Sequence, residues 1–243
     1  MREGVNRVRG GRLMMALCLI VLSTACTVPY RVATDPVVDE VVVQVIPSAA
    51  AAYDHPVRLS ASEMADLLRE VRIQFTSHWL QRLITGPLDA VPLFDEEALA
   101  RVGPALSEAL VRAGADDRIV FYVAQRRASD RREVTSGTLF VKGQRLTLAV
   151  INHQNRVDVL PGLAVYDRQA PEVAVAPQHF SLIFRERAFV LEPQTGMEPQ
   201  EWDILSHVLD ADPPMVMVDY VRFLQYKSRS AAAPRVAPYS PSP

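Results

Sequence analysis

At 243 residues, 49% of them hydrophobic, the chain is long and apolar enough to bury one large core or two small ones without staples. Its 26 Lys and Arg are outnumbered by 28 Asp and Glu, and a formal net charge of −2 without a basic face argues against a nucleic-acid-binding protein.

In chain order, Arg2, Arg7, Arg9 and Arg12 form a positive leader, Leu13 to Leu22 is an apolar run, and the small residues Ser23, Thr24 and Ala25 precede Cys26. Read as a membrane-spanning helix, the run falls short of the roughly 20 residues required. The order resembles the signal of a bacterial lipoprotein over residues 1–26 only. Such signals carry a branched apolar residue three places before the cysteine, where this chain has Ser23, with Leu22 one step further back. The resemblance implies diacylglyceryl transfer to the Cys26 thiol, cleavage after Ala25 and acylation of the new amino group. Two or three acyl chains anchor stably, each buried methylene contributing about 0.8 kcal/mol. Thr27, where an aspartate would retain the protein in the inner membrane, implies sorting to the outer membrane, with the domain facing the periplasm. Loss of residues 1–25 removes four arginines and Glu3, leaving 22 basic against 27 acidic residues, a net charge of −5. Cys18 leaves with them and Cys26 is taken by lipid, so packing rather than a disulfide must hold the mature domain.

Residues 26–36 read as a lipidated polar tether, 37–227 as a single domain and 228–243, rich in Pro and Ser, as a disordered tail. Val37 to Ile46 has the β-branched density of a strand, with Val41, Val43 and Val45 on one face. Unpaired, such a strand invites aggregation, so it is expected inside a sheet or delivered to a partner. At Leu59 to Met64, Ser60 is placed as N-cap, Glu63 as its reciprocal N3 partner, and Leu59 with Met64 as a staple. Met64, Leu67, Leu68 and Val71 then form a helical stripe. Alternation over Val71, Ile73 and Phe75 favours a short strand, and Ser77 to Ile84 reads as a helical turn or two stopped by Gly86-Pro87. Asp95 caps a helix beginning Glu96-Glu97, and Pro104 is expected to break or kink it near Gly103, with a second segment running to Ala113.

Ile119 to Ala124, Val134 to Val141 and Leu146 to Ile151 read as three strands, the last two joined by a tight Lys142-Gly143-Gln144 connection. Gly137, inside the second, marks a bulge or a close backbone approach. Pro161-Gly162 and Pro171 to Pro177 are loops; His179 to Phe184 and Ala188 to Leu191 look like two more strands. Thr195 to Glu198 repeats the capping pattern ahead of a Trp202, Leu205, Val208, Leu209 stripe, and Met215 to Tyr226 fits strand or helix. Helices ahead of hairpin-linked strands define an α+β fold with a mainly antiparallel sheet, because short connections cannot make parallel crossovers.

Two polar runs are candidate sites. Arg126, Arg127, Arg131 and Arg132 surround a Ser129-Asp130 turn, where guanidinium groups clamp phosphate or carboxylate bidentately; the alternative is a solvated turn neutralised by Asp130 and Glu133. Asn152, His153, Asn155 and Arg156 follow a strand at the sheet's rim, with hydrogen-bonding groups suited to a sugar or a peptide backbone; the alternative is a plain loop. The histidines at 55, 78, 153, 179 and 207 lack metal-ligand spacing, and neither G-x-S-x-G nor S-x-x-K occurs, so no metal, cofactor or catalytic residue is assigned. Elimination favours a non-catalytic outer-membrane lipoprotein that binds a protein partner in envelope assembly or transport. A periplasmic hydrolase of glycan or peptide and a small-ligand-binding lipoprotein are the alternatives. The expected contact surfaces are the arginine tip and an unpaired edge at Val37 to Ile46.

Overall fold

A computed structural model describes residues 31–33, 40–48, 52–76, 86, 89–126, 132–157, 171–192 and 214–232. The strands are β1 (Arg31–Ala33), β2 (Glu40–Pro47), β3 (Val71–Phe75), β4 (Val91–Pro92), β5 (Asp117–Arg126), β6 (Arg132–Lys142), β7 (Arg145–Val157), β8 (Phe180–Phe184) and β9 (Met215–Asp219). The helices are α1 (Ala61–Arg69), α2 (Glu96–Arg112) and α3 (Tyr220–Ala232). All strand pairs are antiparallel, in one sheet of order β1-β2-β5-β6-β7-β9 and a smaller one of order β4-β3-β8. The fold is α+β, as the order of helices and hairpins requires.

One face of the large sheet, including Val41, Val43, Phe121, Leu139 and Leu148, shares a single apolar core with α1, α2 and the small sheet. The capping box forms as the sequence dictates: Ser60 Oγ accepts from the Glu63 N–H at 3.2 Å, and Glu63 Oε2 accepts from the Ser60 N–H at 2.8 Å. Ser60→Ala should therefore cost about 1 kcal/mol, read as a lower urea midpoint at unchanged slope; an unmoved midpoint would mean the cap contributes nothing.

Four expectations are corrected. Pro104 does not break α2, which runs unbroken from Glu96 to Arg112. The ring projects from the exposed side, where the Ala100 carbonyl deprived of its N–H partner meets solvent, while Val102, Ala105 and Leu106 hold the other side in the core. Gly103 is a helix crossing rather than a breakpoint: a Cβ there would lie 3.1 Å from the Ala61 carbonyl oxygen and 3.4 Å from Ala65 Cβ, so its absence lets α1 and α2 approach. Part of the expected tether is β1, which pairs with Val42 to Gln44 while β5 pairs along the other side of β2, so β2 lies inside the sheet, the first of the two places expected for Val37 to Ile46. Ala188 to Leu191 is not a strand. Arg187–Phe189 is a 3-10 turn that drives Phe189 onto Phe223 of α3, ring centroids 5.7 Å apart, before Val190 bridges Val218 at the β9 edge.

Met215 to Tyr226 contains both alternatives, because Asp219 ends β9 and its Oδ1 accepts from the Arg222 N–H at 3.0 Å, capping α3. That helix continues through Ala232, so residues 228–232, expected to be disordered, are helical. The signal with Cys26, the Ser77 to Ile84 turns, the Pro161-Gly162 loop and the helix expected after Thr195 lie outside the described residues.

Candidate functional site

The reverse face of the large sheet is buried too. Val42, Tyr122, Ala124 and Val134 form a small apolar cluster there, beside Ser136, Thr138 and Thr147. Over β6 and β7 it carries a strap, Pro171 to Gln178, fixed almost residue by residue. Ser136 Oγ donates to the Pro171 carbonyl at 2.6 Å, and Asn152 Nδ2 donates to Ser136 Oγ at 2.8 Å and to the Val173 carbonyl at 2.9 Å. Asn152 Oδ1 accepts from the Val175 N–H at 2.8 Å, and Asn155 Nδ2 donates to the Ala176 carbonyl and to Asn152 Oδ1, both at 3.2 Å. Gln178 closes the far end, its amide donating to the His153 carbonyl at 2.8 Å and accepting from the His153 N–H at 2.9 Å. At the near end Glu172 meets Arg118 of β5 at 2.8 Å with both side chains largely buried.

Asn152 to Asp158 was expected to be a rim loop; β7 instead continues through Val157. Its polar side chains are tolerated in a strand because the strap's backbone satisfies them, and a buried amide with four partners has no unmet hydrogen-bonding capacity. Two register shifts make this possible. Gly137 pairs with Val150, Ser136 with Asn152 and Val134 with Asn155, so β7 holds an extra residue at each step. In a regular strand residues three apart face opposite ways; the bulges bring Asn152 and Asn155 to the same face. Gln154 takes the left-handed φ of 47° that the second bulge demands. Arg156 is exposed, its Nε 3.9 Å from Glu133 Oε1, and does not join the strap contacts.

The His153 side chain points the other way, between Phe75 of β3 and Phe180 of β8, at ring-centroid distances of 5.9 and 6.2 Å. Burial pushes its imidazole from 6.5 down to about 4, against the carboxylate of Glu133; burial does the same to His55, against Asp117 and Asp54. The unfolded chain binds protons near 6.5 that the folded domain refuses until about 4, so the stability these two neutral histidines contribute is whole above pH 6.5 and lost as pH falls toward 4. Below pH 6.5 the unfolding free energy should drop by up to about 1.4 kcal/mol per pH unit for each histidine. Urea titrations at about pH 7, 6 and 5 measure it, and His153→Phe should halve the slope; an equal slope in that variant would contradict the assignment.

Arg126 and Arg132 pair at the base of the β5-β6 hairpin, and Arg127 and Arg131 lie outside the described residues. Arg132 turns inward, its guanidinium donating to the Tyr122 hydroxyl at 2.6 Å and to Glu40 Oε2 at 3.1 Å, so it braces the sheet. Arg118, Ser136, Glu172 and Gln178 were not singled out in the sequence. The available signal was the apolar run Val173-Ala174-Val175-Ala176 set in a proline-bounded loop. Among the described residues no group of three His, Cys, Asp or Glu side chains is placed to hold a metal ion.

Fold and site together describe a two-sheet α+β domain that carries an apolar strap on a row of side-chain amides. No protein-family model, curated protein sequence or solved structure matches the chain.

Proposed function

We propose that the protein is a non-catalytic lipoprotein, anchored in the outer membrane through Cys26 and facing the periplasm, that binds a protein partner in envelope assembly or transport through the strap. The observation that carries this reading is the exposure of Val173 and Val175, at 60% and 40%, on a backbone that buried side chains hold fixed. Exposed apolar side chains in a row mark contact surfaces, and a segment ordered in advance loses little further freedom when it binds. The strap contains no Lys, Arg, Trp or Tyr, the residues that favour a bilayer interface, so an apolar groove on a protein suits it better than lipid. A membrane anchor would raise the effective concentration toward any partner at the same surface. Among the described residues no helix is long and apolar enough to cross a membrane.

Two measurements test this. Cys26→Ser should release the protein from the membrane fraction, and mass spectrometry of the native protein should find a lipidated Cys26 as the first residue; an intact leader would end the anchor reading. A photo-crosslinking residue at Val173 of the full chain in cells should give a discrete adduct that the same residue at Val111, 44% exposed on α2, does not. Equal adducts at both positions, or turnover of a periplasmic glycan or peptide abolished by one substitution, would overturn the binding reading.

A further inference from the structure

His153 combines three features that seldom coincide. The residue is 1% exposed, neither ring nitrogen has a hydrogen-bond partner among the described residues, and both main-chain polar atoms of the same residue are held by Gln178 at the end of the strap. Packing alone would be served by phenylalanine at that place, as Phe75 and Phe180 serve it on either side, and a buried polar group without a partner calls for an explanation. We propose that His153 is a proton-operated latch on the strap, fastening it while the imidazole is neutral and releasing it when the ring takes up a proton. The proposal rests on the strap being the partner contact, and adds that acid weakens that contact.

The geometry supplies the coupling. A protonated ring is a cation with two N–H donors, and among the described residues no acceptor is bonded to either nitrogen, so protonation disfavours the boxed position. Among the described residues the charged group that acts on the ring is Glu133 of β6, whose carboxylate lies 3.9 Å from Arg156 Nε; β3 and β8 present Phe75 and Phe180. Gln178 and Phe180 belong to one short stretch, so the latch and one wall of the box move together. The ordinary value of 6.5 applies once the ring is free, against about 4 while it is boxed, so the ratio of open to latched strap should rise about 30-fold between pH 7.5 and 5.

A genetically encoded fluorescent residue in place of Val173, in the full chain, reads strap mobility as anisotropy. We expect a one-proton fall in anisotropy with a midpoint between about 4 and 6.5, while far-UV circular dichroism stays constant. His153→Phe fills the same box and should keep the anisotropy high throughout. Gln178→Ala, which unties the strap's end from His153 without entering the box, should abolish the pH response, while Asn152 and Asn155 still hold the strap's centre. A pH-independent anisotropy in the parent chain, or a transition that survives in either variant, overturns the latch. The readout needs no partner: a transition confirmed in this way alongside no Val173 crosslink at any pH leaves the latch standing and removes the partner reading.

Discussion

Gly137→Ala should cost the domain about 3 kcal/mol or more, and Gly137→Val should abolish folding, because an added Cβ has nowhere to go. Gly137 sits mid-sheet between Phe121 of β5 and Val150 of β7. Its Cβ would collide with the Ala149 carbonyl oxygen and lie 2.7 Å from Phe121 Cζ. The first obstacle is backbone in a hydrogen-bonded ladder, and the second belongs to a fully buried ring packed on Phe94, so neither can withdraw cheaply. Gly143 is the internal comparison. It occupies the β6-β7 turn at φ 61° with nothing within 4 Å of a Cβ, so Gly143→Ala should cost only about 1 kcal/mol of backbone strain. Urea midpoints at constant slope compare the two, and equal losses would mean that the sheet opens around Gly137 more easily than its packing indicates.

Asn152→Ala should cost about 2–4 kcal/mol and free the centre of the strap. One amide holds Ser136, Val173, Val175 and Asn155 together, so its removal strands several buried groups at once. A double-mutant cycle with Val175→Pro isolates the strap's share, since proline removes the N–H that Asn152 Oδ1 accepts while the exposed side chain contributes little packing. The two losses should fall well short of additive, by about 1 kcal/mol or more. Strict additivity would show that Asn152 stabilises β7 without holding the strap. The expected functional consequence is loss of the Val173 crosslink in cells.

Much of the fold follows from local rules that need no partner. Ser60 and Glu63 cap α1 because both ends of a capping box lie within four residues, and the hairpins of β5, β6 and β7 follow from alternation broken by short turns. The α+β class follows from the same order of elements. What the sequence alone misjudged depends on what arrives from elsewhere in the chain. Pro104 reads as a breaker until α2 is seen buried along the opposite side, where core packing outweighs one missing hydrogen bond. Arg132 reads as a free charge until Glu40, 92 residues earlier, meets it across the sheet. Asn152 and Asn155 read as loop residues because amides in a strand are costly to bury, and their spacing of three contradicts a period of two. Two bulges and a strap some twenty residues further along the chain supply the missing partners and the shared face. Short-range hydrogen bonding and side-chain periodicity are written in neighbouring residues and so are legible there. Satisfaction of a buried polar group is a property of two distant segments, and only the tertiary structure brings them together.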